Sequence, residues 1–280
     1  MIQRLAPQRT APDGRLDLPE VTLCAVTSVA IPATLAAMRN SLRLVRFGAA
    51  MLLTDADRDK ISDAEIEVVG IDRLRSRSEY SRFMLKELHR HISTPFVLCV
   101  QWDGYVIDPT GWTDEFLDVD YIGAVWPHAR GPCQVGNGGF SLRSRHLLRA
   151  TADLRVEASI AEDIAICQLG RPMLEAEHGV RFAEPGLARR FSYERELTTG
   201  GEFGFHGLFN MPSLLGQSAM YDLCRELEPG LVGWIELRDT AKVAARRGQL
   251  RLLAWLAVRL PGAWLRHRRS RRQSKVAKQS

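Results

Sequence analysis

Apolar runs and amphipathic stretches alternate through the first hundred residues. VTLCAVTSV (21–29) is a continuous apolar run of the kind that forms a strand buried on both faces. Pro32 then opens a segment in which Leu35, Met38, Leu42 and Val45 recur at helical spacing. GAAMLLTD (48–55) predicts a second strand, ending on Asp55, and EIEVVGID (65–72) a short third. SEYSRFMLKELHRHI (78–92) carries Tyr80, Phe83, Met84, Leu88 and Ile92 with the period of a helix. PFVLCVQWD (95–103) predicts the fourth strand. Strand alternating with helix is the pattern of an α/β fold with a mostly parallel sheet.

The texture changes after Asp103. YIGAVWP (121–127) predicts another strand, and VGNGGFSLRSRHLLRA (135–150) a glycine-rich start, a short strand and a helix. EDIAICQLGRPMLEAEHG (162–179) predicts a helix or an interrupted helix with acids at its start. VRFAEPGLARRFSYE (180–194) follows as a short strand and a loop, and FGFHGLFN (203–210) is an aromatic, glycine-flanked stretch. The alternation is lost beyond about residue 215, and no internal repeat is present.

Composition adds little to this pattern, but charge and cysteine do. Residues 231–280 hold 13 Lys/Arg against Glu236 and Asp239, a net +11, which leaves 25 against 31 in residues 1–230, a net −6. An acidic body argues against a nucleic-acid-binding core, whereas a basic tail seeks phosphate. The five cysteines (24, 99, 133, 167, 224) form no CxxC pair, and three lie in apolar runs. They predict reduced core residues rather than a disulfide frame or a zinc site. No run of about 18 uncharged apolar residues occurs, and the first twenty residues lack an apolar signal core. The expectation is a cytoplasmic protein whose residues 1–18 are a flexible polar arm.

Candidate chemistry gathers at predicted strand ends, because ligands of open α/β sheets bind outside the carboxyl ends of the strands. Thr27, Ser28, Asp55 and Asp103 fall there. If the fourth strand runs to Asp103, Gln101 and Asp103 point to one side of the sheet and Trp102 to the other. Asp103 then has two readings: part of a simple turn with Gly104, or a carboxylate holding a divalent cation shared with substrate phosphates. GNGGF (136–140), with Asn137, Gly138 and Gly139, is either a hairpin signal or a segment against which a substrate lies. Glu162 and Asp163 at a helix start either complement the helix dipole or supply a general base. His206, flanked by apolar residues and Gly207, is either a packed core residue or a second metal ligand.

In this order, QWDG, YIGA, VGNGGFSLRSR, EDIAIC and FGFHG resemble a bacterial family of predicted glycosyltransferases that carries a domain-of-unknown-function label. The resemblance covers roughly residues 20–212. It implies a GT-A-like, Rossmann-like sandwich that binds a nucleotide sugar over a mostly parallel sheet, occupying residues 19–215. It also implies transfer of a sugar from a nucleotide-diphosphate donor to a hydroxyl on a saccharide or lipid-linked acceptor, in surface polysaccharide or glycolipid synthesis, with inversion. GT-A enzymes end an apolar strand in Asp-x-Asp; here Gln101 stands in the first place and Asp103 is the only acid. By the resemblance, either Asp103 and His206 share Mn2+ or Mg2+, or the metal binds weakly, or there is none, and Asp163 or Glu162 activates the acceptor. Thr27, Ser28, Asp55, Gln101, Trp102, Asp103, Asn137, Gly138 and Gly139 bind the donor. The alternatives are a nucleotide-sugar-binding protein without turnover and a nucleotidyltransferase. The latter class commonly has a basic Gly-rich loop after its first strand, which TSVAIPAT lacks.

Residues 216–280 predict a helical, basic C-terminal segment. Within 249–278 an apolar stretch, with Leu250, Leu253, Ala257 and Leu260 on one helical face, precedes a cluster of basic residues from Arg266 to Lys278. That order fits either a core-capping helix with a solvated end or a helix peripheral to the anionic inner face of the plasma membrane. Nucleic acid is the weaker reading, since no base-stacking module accompanies the charge.

Overall fold

The computed structural model describes residues 9–155, 157, 159–228 and 230–276, with the side chains of the final helix described through 269. The chain divides into two compact units, one ending at His206 and one beginning at Gly207, rather than at residue 216.

The first unit is mixed α/β. Its elements are β1 (Leu16–Val26), α1 (Ile31–Leu42), β2 (Val45–Thr54), β3 (Glu67–Gly70), α2 (Arg77–Lys86), β4 (Phe96–Val100), β5 (Gly104–Val106), β6 (Tyr121–Ile122), β7 (Phe140–Ser144), α3 (Arg145–Ala150), α4 (Glu162–Ile164), α5 (Arg171–His178), α6 (Pro185–Phe191), β8 (Ser192–Tyr193) and β9 (Gly204–His206). The main sheet has the order β3-β2-β1-β4-β7-β6. β3, β2, β1 and β4 run parallel, while β7 is antiparallel to both β4 and β6. The parallel strands β1, β2 and β4 are apolar over the stretches where both faces are covered; Leu18, Val21, Leu23, Leu52, Leu53, Val97 and Leu98 are all buried. Three cysteines, Cys24, Cys99 and Cys167, are free and buried, and burial pushes their thiols up, away from the reactive thiolate.

Several expectations are corrected. Val45 does not share the face of α1; it opens β2, where it is buried. The fourth strand stops at Val100, and the next four residues form a turn closed by Gly104 N donating to Gln101 O at 3.1 Å. The same-side argument for Gln101 and Asp103 therefore does not apply. The 121–127 strand is reduced to two residues. PGLARRF, expected as loop, forms α6, since its Pro sits in the first turn, where a missing N–H costs nothing. The stretch 162–179 is interrupted: a π-helical segment at Ala165–Leu169 separates α4 from α5. Residues 9–18 are not a free arm either. Asp17 N donates to Arg9 O, Thr10 bridges Leu16, and Arg9 pairs with Asp114 and Glu20. Residues 1–8 lie outside the described residues.

Strand order fixes where a ligand fits. From β1 the chain winds outward through β2 to β3, then returns to β4 on the other side of β1. The sheet's switch point thus lies between β1 and β4, and the crevice beyond their carboxyl ends is where open α/β sheets take ligands. Thr27–Ser28 and Gln101–Asp103 are the residues that leave those two strands.

The second unit is helical: α7 (Met211–Leu214), α8 (Gln217–Glu226), α9 (Trp234–Arg246) and α10 (Leu250–Val276). Among the described residues no helix is long and apolar enough to cross a membrane.

Candidate functional site

Three short strands make a second sheet, ordered β5-β9-β8. Gly104 pairs with His206 across the antiparallel pair, and Tyr193 with Phe205 across the parallel pair. Asp103 precedes Gly104 and Glu194 follows Tyr193. The register therefore sets three ionisable groups in a row, Asp103–His206–Glu194. His206 Nε2 lies 3.3 Å from Asp103 Oδ1, and Nδ1 lies 3.5 Å from Glu194 Oε1. Burial alone would lower the His206 pKa, but the carboxylates, Asp103 foremost, outweigh it and raise it to about 10. The imidazole is therefore cationic at neutral pH and faces a carboxylate at each nitrogen.

The 136–139 loop joins this row to the main sheet. β4 and β7 pair through Val100 and Phe140, and Gln101 N donates to Gly139 O one step further on. That ladder carries the loop to the end of β4. Gly139 has no side chain because none fits: a Cβ there would lie 2.0 Å from His206 Nε2. A Cβ on Gly138 would lie 1.9 Å from Glu162 Oε1. Asn137, just before them, takes a left-handed backbone (φ 69) and accepts from Gly139 N at 3.0 Å through Oδ1. Its Nδ2 is buried and has no protein partner. Asparagine tolerates this conformation better than other side chains, and its buried amide nitrogen keeps a donor to spare.

The two acids at the start of α4 separate by environment. Glu162 is buried, 3.1 Å from Nη2 of Arg143, which is itself fully buried. Arg143 Nε also donates to Ser141 Oγ at 3.0 Å, and the guanidinium lies 5.6 Å from the centre of the Tyr121 ring. Burial raises the Glu162 pKa and Arg143 opposes it. Asp163 instead is half-buried and accepts from Gly138 N at 3.3 Å through Oδ2. It lines an open cleft of about 550 Å3 together with Trp126, His128, Glu194 and Arg195. The loop thus holds Asp163 at Gly138 and His206 at Gly139.

The remaining sequence candidates are not drawn into this row. Gln101 Nε2 donates to Tyr80 Oη at 3.1 Å, which ties its amide to α2. Trp102 is half-buried. Ser28 Oγ accepts from Leu74 N, fastening the chain beyond β3 to the end of β1. Thr27 is bonded to Val29, and Asp55 stands at the surface 3.8 Å from Arg73. Glu194 and Arg195 were not legible as site residues: SYERE reads as an ordinary charged loop, and only strand register brings Glu194 to His206.

Among the described residues no group of three or more His, Cys, Asp and Glu is placed to hold a metal ion. Two protein donors are available, a carboxylate oxygen and an imidazole nitrogen 3.3 Å apart. Adjacent ligands of an octahedral cation at about 2.1 Å lie about 3 Å apart, so this pair fits two neighbouring positions on a hard divalent ion, with phosphate or water supplying the rest. Glu194 on Nδ1 would hold the proton there, so that Nε2, on giving up its own, would face the ion.

A search of curated proteins finds no match. Among solved structures, the apo-form glycosyltransferase GlyE of Streptococcus pneumoniae TIGR4 superposes with a TM-score of 0.39 at 13% identity, over 66% of this chain. The likeness spans 53%, about half, of the GlyE chain and is too loose to bear on function. Residues 63–206, just over half of the sequence, match a family described as "Protein of unknown function (DUF5672)". That segment runs from ahead of β3 to the last residue of β9 and contains Asp103, the 136–139 loop, Asp163, Glu194 and His206, and the chain belongs to this family.

Proposed function

We propose that the protein is a glycosyltransferase of GT-A type, moving a sugar from a nucleotide-diphosphate donor to a hydroxyl of a saccharide or lipid-linked acceptor. The observation that carries this reading is the Asp103–His206 pair at the sheet's switch point, joined by one glycine loop to a cleft-facing Asp163. A nucleotide sugar asks for those parts: a place for a diphosphate beside a carboxylate that takes an acceptor's proton.

Asp163 is the base in this scheme. Its carboxylate takes the proton of the acceptor hydroxyl as that oxygen bonds to the anomeric carbon. The bond from that carbon to the diphosphate breaks, and its electron pair leaves with the diphosphate. A single displacement of this kind inverts the anomeric centre. Glu162 is not the base; its ion pair with Arg143 holds the start of α4, and through it Asp163, against Gly138. Asp103 and His206 would hold Mn2+ or Mg2+, which neutralises charge on the departing diphosphate. Glu194 orients His206 through Nδ1. The nucleotide lies toward Thr27 and Ser28, at the end of β1. One observation favours a second reading, donor binding without turnover: Gln101 replaces the first acid of the motif, and its amide is engaged by Tyr80.

Incubating the protein with a panel of UDP-, GDP- and dTDP-sugars, with and without manganese, tests both readings through melting temperature and release of nucleoside diphosphate. The transferase reading expects one donor to raise the melting temperature, Asp163→Asn to keep that shift while losing turnover, and Asp103→Asn to lose the shift. Turnover at the wild-type rate in Asp163→Asn overturns the base assignment. A donor shift without any turnover, across a range of saccharide acceptors, leaves the binding protein.

A further inference from the structure

Helix α10 is apolar on two opposite sides, and the helical unit covers only one. Its inward residues, Leu252, Leu256 and Ala263, are buried where α10 packs on α8 and α9. The face opposite carries Leu250, Ala254, Val258, Pro261 and Leu265. There Leu250 is 72% exposed, Val258 78% and Leu265 50%, with Trp264, 39% exposed, at the edge. A contiguous exposed apolar stripe marks an interaction surface, so this outward face calls for a second partner. The face differs from the Leu250–Leu253–Ala257–Leu260 set suggested by periodicity, because leucines on both sides leave the inward direction to be fixed by packing.

Charge selects the partner. The 27 residues of α10 include eight Arg/Lys and no acid. Arg251, Arg259 and Arg266 follow one flank of the stripe, and Arg268 lies over the Trp264 ring at 4.7 Å. A protein partner of ordinary composition does not call for a helix without a single carboxylate. An anionic lipid surface does: it takes the aliphatic stripe at the acyl boundary, the Trp at headgroup depth and the arginines on phosphate. We propose that α10 docks the protein flat on an anionic membrane, with Leu250, Val258 and Leu265 inserted and Arg251, Arg259, Arg266 and Arg268 on lipid phosphates. This inference stands on the C-terminal unit alone and does not depend on the transferase reading.

Co-sedimentation of the full chain with vesicles tests it. Vesicles of phosphatidylcholine with about 30 mol% phosphatidylglycerol should retain the protein at least about tenfold better than phosphatidylcholine alone, and raising salt to about 500 mM should release it. Val258→Asp with Leu265→Asp should abolish retention while the melting temperature holds, since both side chains are exposed. Trp264 emission should shift to the blue on binding, and Trp264→Phe should remove that shift. Equal retention on the two vesicle types, or retention unchanged in the double Asp variant, overturns the proposal. So does a solution dimer that the double Asp variant dissociates, which would make the stripe a self-contact.

Discussion

Replacing Glu162 and replacing its neighbour Asp163 should have opposite consequences. In Glu162→Ala, Arg143 keeps Ser141 Oγ at 3.0 Å and Gly138 O at 3.4 Å but loses the carboxylate that pairs with it at 3.1 Å. A guanidinium with no solvent exposure is then left without a counter-charge. Breaking a buried pair from one side costs about 3–5 kcal/mol. For a folding unit of this size, each kcal/mol moves the melting temperature by about 2–4 °C, so a fall of roughly 6–20 °C is expected. Asp163→Ala removes only a half-buried acceptor of two backbone N–H groups, a loss of about 1 kcal/mol. The activity order reverses: Asp163→Ala should lower turnover by about 10²–10⁴-fold, while Glu162→Ala, assayed well below its own melting temperature, should retain more. Differential scanning calorimetry with urea titration measures the first difference. A compensated variant, Arg143→Met with Glu162→Met, should return to within about 2 kcal/mol of the parent, because apolar replacement of a whole buried pair is often neutral. A Glu162→Ala protein that melts within about 2 °C of the parent, or an Asp163→Ala protein that falls as far as it, refutes the assignment of the two acids.

Other predictions concern the Asp103–His206–Glu194 row. Gly139→Ala places a Cβ 2.0 Å from His206 Nε2 and should cost about 1–3 kcal/mol, read as a fall in urea midpoint. His206, raised from 6.5 to about 10 in the fold, gives a definite sign: its contribution is complete below about pH 6.5 and is lost as pH rises toward 10. In chelated buffer the parent should lose stability relative to His206→Gln across that window, by on the order of 4–5 kcal/mol in full; parallel curves would refute the ion pairing. Glu194→Gln removes one of the two flanking carboxylates and should shrink that difference without abolishing it, while Asp103→Asn should shrink it more. If a divalent ion takes Nε2, it must displace a proton, so manganese affinity followed by its EPR signal should rise about tenfold between pH 7 and pH 8.

What could be read from the chain was what local pattern encodes. The inner parallel strands β1, β2 and β4 announce themselves because burial on both faces leaves an apolar run in each. The loop at Asn137–Gly139 stands out because glycine is required where another group comes close, although the sequence does not say which group. The partners turn out to be His206 and Glu162, which lie 67 and 23 positions downstream of Gly139. Strand ends were harder. QWD continues the apolar texture of FVLCV, so periodicity carries β4 past Val100; only the Gly104-to-Gln101 bond shows a turn. The two-residue strand Ser192–Tyr193 is too short for any pattern to reveal, and Glu194 depends on it.

A turn at QWDG does not stand against a binding aspartate there; the turn is what sets Asp103 beside His206. A strand running straight to Asp103 would have presented its carboxylate at the sheet's edge with nothing to hold it. The turn instead starts β5 at Gly104, and β5 is what pairs with β9 and brings His206 to Asp103. Gly104 is needed at that step for space, since a Cβ would lie 2.9 Å from Phe205 O and 3.1 Å from His206 Cδ2. The structural reading of the glycine and the functional reading of the aspartate therefore rest on the same reversal of chain direction. Gly104→Ala should disturb both together: the β5–β9 pairing that brings His206 to Asp103 starts at Gly104, so loss of the His206-dependent pH slope should accompany any loss of strand pairing.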